Sequence, residues 1–257
     1  MILTAQAIGA SASRILNHTT ELKVHSCFNK GFNVVDKDDN LIFIGTTENG
    51  MFPFGVVVDA YTRDRLLQSI QVGQTLKAHP RALAFDRNLQ LNINVNVFKA
   101  SQNFEAIHLN QLKESIQAFD FCEYADGDFN PAKMQSIYDA LSNPHGDAKT
   151  ELRYLIGRGQ GLTPSGDDML VGMLFVHFIR PFIQSQHLTE IEQLVDEPLT
   201  TLVSQTFLKY AVNRIFSSKL TDLMEDASKS TLEKLLQVGS SSGKDTLYGM
   251  SIALLKE

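Results

Sequence analysis

Near residue 110 the hydrophobic pattern of this 257-residue chain changes period, and that change limits the fold more than any single motif does. Before it, short apolar runs are separated by Gly, Asn and Asp. Leu22–Phe28, Phe32–Asp36, Leu41–Gly45 and Phe54–Asp59 read as strands, and Lys37-Asp38-Asp39-Asn40 as a hairpin connection. In Leu89–Val97, apolar residues alternate with Gln90, Asn92, Asn94 and Asn96, which predicts a strand with one buried and one wet face and so favours an antiparallel sheet. Thr75–His79 is a further expected strand and Arg63–Ile70 a short helix. After the change, Asn110–Phe119 fits one amphipathic helix, and Asn130-Pro131 reads as an N-cap followed by Pro at the first helical position. Met134, Ile137, Tyr138 and Leu141 continue that helix as an apolar stripe. Later helices are expected at roughly 147–156, 167–180, 188–195, 199–216, 219–227, 230–237 and 245–255. The expected fold is α+β: a β-rich antiparallel N-terminal half, residues 1–109, followed by an all-helical C-terminal half, residues 110–257.

The helical half carries the most unusual segment, Gly157-Arg158-Gly159-Gln160-Gly161-Leu162-Thr163-Pro164-Ser165-Gly166-Asp167-Asp168. A Gly-rich loop that feeds a helix places unpaired N–H groups and the positive end of the helix dipole at one spot, which suits phosphate or carboxylate. No Lys-Ser or Lys-Thr closes the run, and G-x-G-x-G is not the dinucleotide fingerprint. A second copy follows 77 residues later. Ser165–Met173 aligns without gaps to Ser242–Met250, with the Ser, the first Gly, the second Asp, the Leu, the second Gly and the Met identical. Gly239-Ser240-Ser241 takes the place of the G-x-G-x-G lead-in.

In each copy the shared Asp and second Gly are four apart, on one helical face, where Gly lets another helix approach closely. The two helices are therefore expected to cross near Gly172 and Gly249, bringing both loops into one site. Candidate substrate-binding residues are Arg158, Gly159, Gly161, Thr163, Ser165, Gly166, Ser241, Ser242, Gly243 and Lys244, with Arg158 and Lys244 as cations for an anion. Asp167, Asp168 and Asp245 are the candidate catalytic groups. The acidic pair would repel a phosphate unless it points away, holds Mg²⁺ or binds an amino group. Simple capping is the competing reading, since Ser165 or Asp167 could accept the free N–H groups.

Composition excludes other classes. Lys and Arg number 23 against 29 Asp and Glu, a net charge of −6 that offers no footprint for nucleic acid. Cys27 and Cys122 form no C-x-x-C pair and suggest neither zinc nor a disulfide framework. The most apolar stretch, Met169–Ile179, is 11 residues, too short to cross a bilayer, so a soluble, cytoplasmic protein with no membrane contact is expected. His177 sits among apolar residues and reads as a core histidine, while His25 and Ser26 could face a cleft or solvent. No Cys/His nucleophile, G-x-S-x-G elbow or H-E-x-x-H occurs.

The stretch Leu155-Ile156-Gly157…Gly161-Leu162-Thr163-Pro164-Ser165-Gly166-Asp167-Asp168-Met169-Leu170-Val171-Gly172, with Gly239–Gly249 later, resembles the bacterial AllH-like family, the oxamate carbamoyltransferase subunit also described as a domain of unknown function or a carboxylase. A fainter echo covers Val24–Phe28 through Asn33 and the Pro53-Phe54-Gly55 turn. The second loop departs from the family pattern at Ser240, where a His is common, which bears on substrate or activity. The resemblance implies a hetero-oligomeric enzyme of allantoin and purine breakdown. It would interconvert oxamate plus carbamoyl phosphate with oxalurate plus phosphate, working with larger partner subunits. Two other readings stay open: a non-catalytic structural or partner-binding subunit, and a small-molecule phosphotransferase or ATP-using carboxylase. The resemblance names no cofactor; the one candidate is Mg²⁺, at the acidic pair.

Overall fold

The computed structural model describes residues 1–99, 104 and 108–255, and divides into two compact units, Met1–Ser101 and Gln102–Glu257.

The first unit is one curled ten-stranded sheet with two helices. Its strands are β1 (Ile2–Thr4), β2 (Ala7–Gly9), β3 (Glu21–Phe28), β4 (Gly31–Val35), β5 (Leu41–Gly45), β6 (Gly55–Val57), β7 (Thr75–His79), β8 (Ala82–Ala84), β9 (Gln90–Asn92) and β10 (Val97–Phe98). They run in the order β1-β9-β8-β7-β3-β4-β5-β6-β2-β10. The predicted hairpin joins β4 to β5. Asp36 Oδ1 accepts the N–H groups of Asp38 and Asn40, and Asp39 takes a positive φ of 59°.

The sheet is mostly antiparallel, but β1/β9, β2/β10 and β5/β6 are parallel pairs. Neighbouring segments make both edges: β1 with β9 on one side, β2 with β10 on the other. The sheet therefore curls until its edges meet near Ala5, whose N–H donates to Asn92 O, and Ile8, whose N–H donates to Asn96 O. This curl splits the predicted strand Leu89–Val97. Leu89, Leu91 and Ile93 are buried as the alternation requires. Then Val95 N–H bonds Ile93 O and Asn92 Oδ1 takes Asn94 N–H, a bend that redirects the chain to the opposite edge and leaves Val97 49% exposed.

Helix α1 (Ala10–His18) was not visible in the sequence. No side chain caps it; the N–H groups of Ser11 and Ala12 bond the carbonyl of Pro53, some forty residues away. Helix α2 (Ala60–Leu67) falls slightly ahead of its predicted place, capped by Asp59, which accepts from Thr62 N–H.

The second unit is helical: α3 (Leu109–Gln117), α4 (Pro131–Ser142), α5 (Lys149–Leu155), α6 (Ser165–Ile179), α7 (Ser185–Val195), α8 (Leu202–Val212), α9 (Ser218–Thr221), α10 (Lys229–Leu235) and α11 (Ser242–Leu255). Asn130 caps α4 as predicted, accepting from Lys133 N–H, and Met134, Ile137, Tyr138 and Leu141 are all buried. The unit forms around α6 and α11. Every residue of α6 from Gly166 to His177 is buried, as are Gly243, Asp245–Ser251, Ala253 and Leu254 of α11. A helix apolar on all sides must lie at the centre of its domain. His177 is a core residue, as expected: its Nδ1 accepts the N–H groups of Phe182 and Ile183, and burial lowers its pKa.

Candidate functional site at the crossing of two repeated helices

The two copies of the nine-residue motif are α6 and α11, and they cross at their glycines. A Cβ on Gly172 would lie 2.1 Å from the carbonyl oxygen of Thr246, and one on Gly249 would lie 2.0 Å from that of Met169. Met169 and Thr246 hold the same place in the two copies, so the contact is reciprocal, backbone against backbone. The predicted crossing is correct.

The repeat also extends beyond the motif. A short helix precedes each copy, α5 ending at Leu155 and α10 at Leu235. Gly166 packs on the carbonyl of Leu155, and Gly243 on that of Leu235, each so tightly that a Cβ would clash at about the same distance, 2.1 and 2.0 Å. The helical unit thus contains one helix–loop–helix element twice.

At the N-terminal ends of the crossing helices the loops touch: Thr163 Oγ1 and Ser242 Oγ are 2.8 Å apart. Beneath them lie three buried carboxyls. Asp167 is fully engaged. Its Oδ1 accepts from Gly157 N–H at 2.8 Å, and its Oδ2 from the hydroxyls of Thr200 and, at 2.7 Å, Ser204. Burial raises its pKa, and those three donors oppose the rise. The hydroxyl of Thr201, which caps α8, donates to Leu162 O and anchors the loop a second time.

Asp168 and Asp245 hold equivalent places in the repeat and share a different condition. Asp245 Oδ1 accepts from Tyr124 Oη at 2.6 Å, and Asp168 is hydrogen-bonded by Ser242 and Thr163. Yet Oδ2 of each is shut off from solvent with no hydrogen-bond partner. Burial holds the Asp168 carboxyl well above the usual carboxylate range; the Ser242 hydrogen bond opposes this, and the nearby Asp245 charge adds to it. Tyr124 stacks on Tyr248 with ring centroids 4.1 Å apart, and burial raises both phenols, Tyr248 to about 12.

Three of the backbone donors at each helix start are already used. Gly166 N–H bonds Arg158 O, and the N–H groups of Asp167 and Asp168 bond Pro164 O. In the second copy Gly243 N–H bonds Val238 O, and those of Lys244 and Asp245 bond Ser241 O. Neither Ser165 nor Asp167 caps α6 with its side chain. The loops cap the helices with their own carbonyls, which spacing could not reveal.

Both cations carry acidic partners. Arg158 meets Asp128 at 3.1 Å, donates through Nε to Tyr154 O and lies 3.9 Å over the Tyr154 ring. Lys244 pairs with Glu123. Each side chain still keeps more than a third of its exposure. Of the loop glycines, Gly157 is fixed by packing against the carbonyl of Leu199, whereas Gly161, at φ 88°, has open space around its Cα. Gly159, Ser165, Ser241 and Gly243 line the same two turns. The residues that sequence reasoning missed are Tyr124, Thr200 and Ser204. They reach the carboxyls from outside the motif, and only Thr201, as an N-cap, left a local signal for the α8 start.

In the first unit, β3 carries a bulge between Val24 and Ser26. There Ser26 Oγ lies 3.1 Å from His25 Nδ1 and accepts from the buried Asn33 Nδ2 at 3.0 Å. The cysteines Cys27 and Cys122 are free and exposed. Among the described residues no group of three or more His, Cys, Asp or Glu side chains is placed to hold a metal, and no helix is long and apolar enough to cross a membrane.

No solved structure matches the chain. Two family models do: that of the AllH family N-terminal domain over residues 4–101, and that described as oxamate carbamoyltransferase subunit AllH over residues 155–254, which contains both copies of the crossing helix element. Between them they take in the curled sheet and the paired loops, and the chain belongs to the AllH family.

Proposed function

We propose that this protein is a subunit of a carbamoyl-transfer enzyme of the oxamate type and that its paired loops hold the small anionic substrate. The observation that carries the reading is the meeting of the two Gly/Ser-rich loops, Thr163 against Ser242, directly over Asp168 and Asp245. The family description supports the reaction class, and the word subunit supports larger partner chains completing the site.

In the transfer, the amide nitrogen of an oxamate-like acceptor attacks the carbonyl carbon of carbamoyl phosphate. The bond from that carbon to the phosphate oxygen breaks, and phosphate leaves with the electron pair and takes up the proton released by the nitrogen. No covalent enzyme intermediate is needed, so alignment and charge placement are the protein's work. Arg158 and Lys244 are the anion's cationic partners. Their present pairs are partly exposed, contribute little and can be exchanged for a substrate oxyanion. The hydroxyl oxygens of Thr163 and Ser242, whose hydrogens go to Asp168 and to each other, are acceptors for the substrate's amide N–H. With the amides of Gly166–Asp168 and Gly243–Asp245 bonded to carbonyls, side chains make most of the contacts. Asp168 and Asp245 act through the hydroxyls bonded to them, those of Thr163, Ser242 and Tyr124; Asp167, saturated with donors, positions the loop.

Calorimetric titration of the chain with carbamoyl phosphate, alone and with its partner subunits, tests this. Saturable binding is expected at micromolar to low-millimolar strength, and Arg158→Gln with Lys244→Gln should weaken it about tenfold or more, in line with loss of charge-assisted hydrogen bonds. A folded double variant that binds as well as the wild type overturns the reading. Binding by neither the chain nor the complex would favour a structural subunit.

A further inference from the structure

We infer that Asp168 and Asp245 form a site for one hard divalent cation, Mg²⁺ or Mn²⁺, at the crossing of α6 and α11. At this end of the helices the buried side-chain atoms without partners are acceptors. The amides of Gly166–Asp168 and Gly243–Asp245 are bonded to carbonyls, while Asp168 Oδ2 and Asp245 Oδ2 are buried without partners. Buried polar atoms without partners are rare in native proteins, and two carboxyl oxygens in that condition on paired helices call for an occupant.

The repeat makes the two orphans a matched pair. Each sits four residues before the glycine at which its helix meets the other's backbone, and the two carboxyls are close enough for the Asp245 charge to act on Asp168. Around them stand the hydroxyls of Thr163 and Ser242, both bonded to Asp168, and the Tyr124 hydroxyl on Asp245. No imidazole or thiolate belongs to this group of donors. An all-oxygen set with two carboxylates selects hard cations, and two negative charges match one divalent ion. The nearby side-chain cations do not neutralise the pair, since Lys244 turns to Glu123 and Arg158 to Asp128. Two carboxylates suffice for such an ion, because Mg²⁺ usually keeps several of its waters and is commonly held by one or two carboxylates.

This site goes beyond the carbamoyl-transfer reading and does not depend on it, because metal alone tests it. Metal-stripped protein is titrated with Mn²⁺ at neutral pH while free Mn²⁺ is followed by electron paramagnetic resonance, and thermal unfolding is recorded with and without Mg²⁺. Wild type should bind one Mn²⁺ per chain and melt higher with Mg²⁺. Asp168→Asn and Asp245→Asn, which keep shape and remove charge, should each bind at least tenfold more weakly and lose the Mg²⁺ shift. Asp128→Asn, on the surface beside Arg158, should change neither. Acidification should weaken binding, because protons and metal compete for the same carboxylates. Absence of Mn²⁺ binding by folded wild type at millimolar concentration overturns the proposal and leaves a proton shared between the carboxyls as the occupant. Full binding by either folded Asn variant overturns it too.

Discussion

The two helix–loop–helix copies have the same skeleton and different loops, and the difference separates what the fold needs from what is particular to each loop. Both keep the glycine against the preceding helix, the buried aspartate and the crossing glycine. The first copy has the longer connection, residues 156–164, pinned by Asp167 to Gly157, Thr200 and Ser204. The second, residues 236–241, has Lys244 where the first has Asp167, and that side chain turns outward to Glu123. The shared skeleton thus sets the crossing and the paired carboxyls, while one loop is an internally braced turn and the other a solvent-facing one.

The strongest way to break this comparison is at the crossing itself. Gly172→Ala or Gly249→Ala should destabilise the protein by about 3 kcal/mol, the upper end for overpacking, because a backbone carbonyl cannot rotate out of the way. Urea unfolding measures it. An alanine that stabilises, as helix propensity alone would have it, refutes the reciprocal contact.

Next comes the position at which the copies differ most. Asp167→Ala strands an amide and two hydroxyls and should cost about 2 kcal/mol. Its counterpart Lys244→Ala should cost less than about 0.5 kcal/mol, as an exposed ion pair does. Equal losses in the two variants would mean that the second loop is braced as firmly as the first.

A smaller effect is read through pH in the presence of a chelator. The folded Asp168 carboxyl is held well above its unfolded value of about 4, first by burial. The folded state therefore keeps a proton that the unfolded state has lost. The stability this contributes is complete below about pH 4 and is lost as pH rises through the folded value. Wild type should accordingly lose stability relative to Asp168→Asn between acidic and neutral pH; a gap that widens in the wild type's favour as pH rises contradicts it. The smallest expected change is at Gly161→Asn, which keeps the positive φ in open space and should shift stability by less than about 1 kcal/mol.

How much of this was legible in the chain follows the range of the interactions. Asn130-Pro131, the Asp36–Asn40 turn and the stripe on α4 act over a few residues and were readable. So was the crossing, because a glycine four residues after an aspartate, present twice, has a direct geometric meaning. Helix α1 was hidden because its cap is the carbonyl of Pro53, and Leu89–Val97 was misread as one strand because the curl sends its second part to the far edge. At the site the carboxyls were found, but their condition was not.

The sequence by itself determined the order of strands then helices, the repeated element and the residue types at its heart, since periodicity and identity are properties of the chain. Only the tertiary structure decided which of those groups are satisfied. Asp167 and Asp168 are neighbours of the same kind, yet one is saturated by Gly157, Thr200 and Ser204 while the other keeps a buried oxygen without a partner. Donors reach a carboxyl through space, from segments the sequence places far away, and a buried oxygen has only what the packing brings to it.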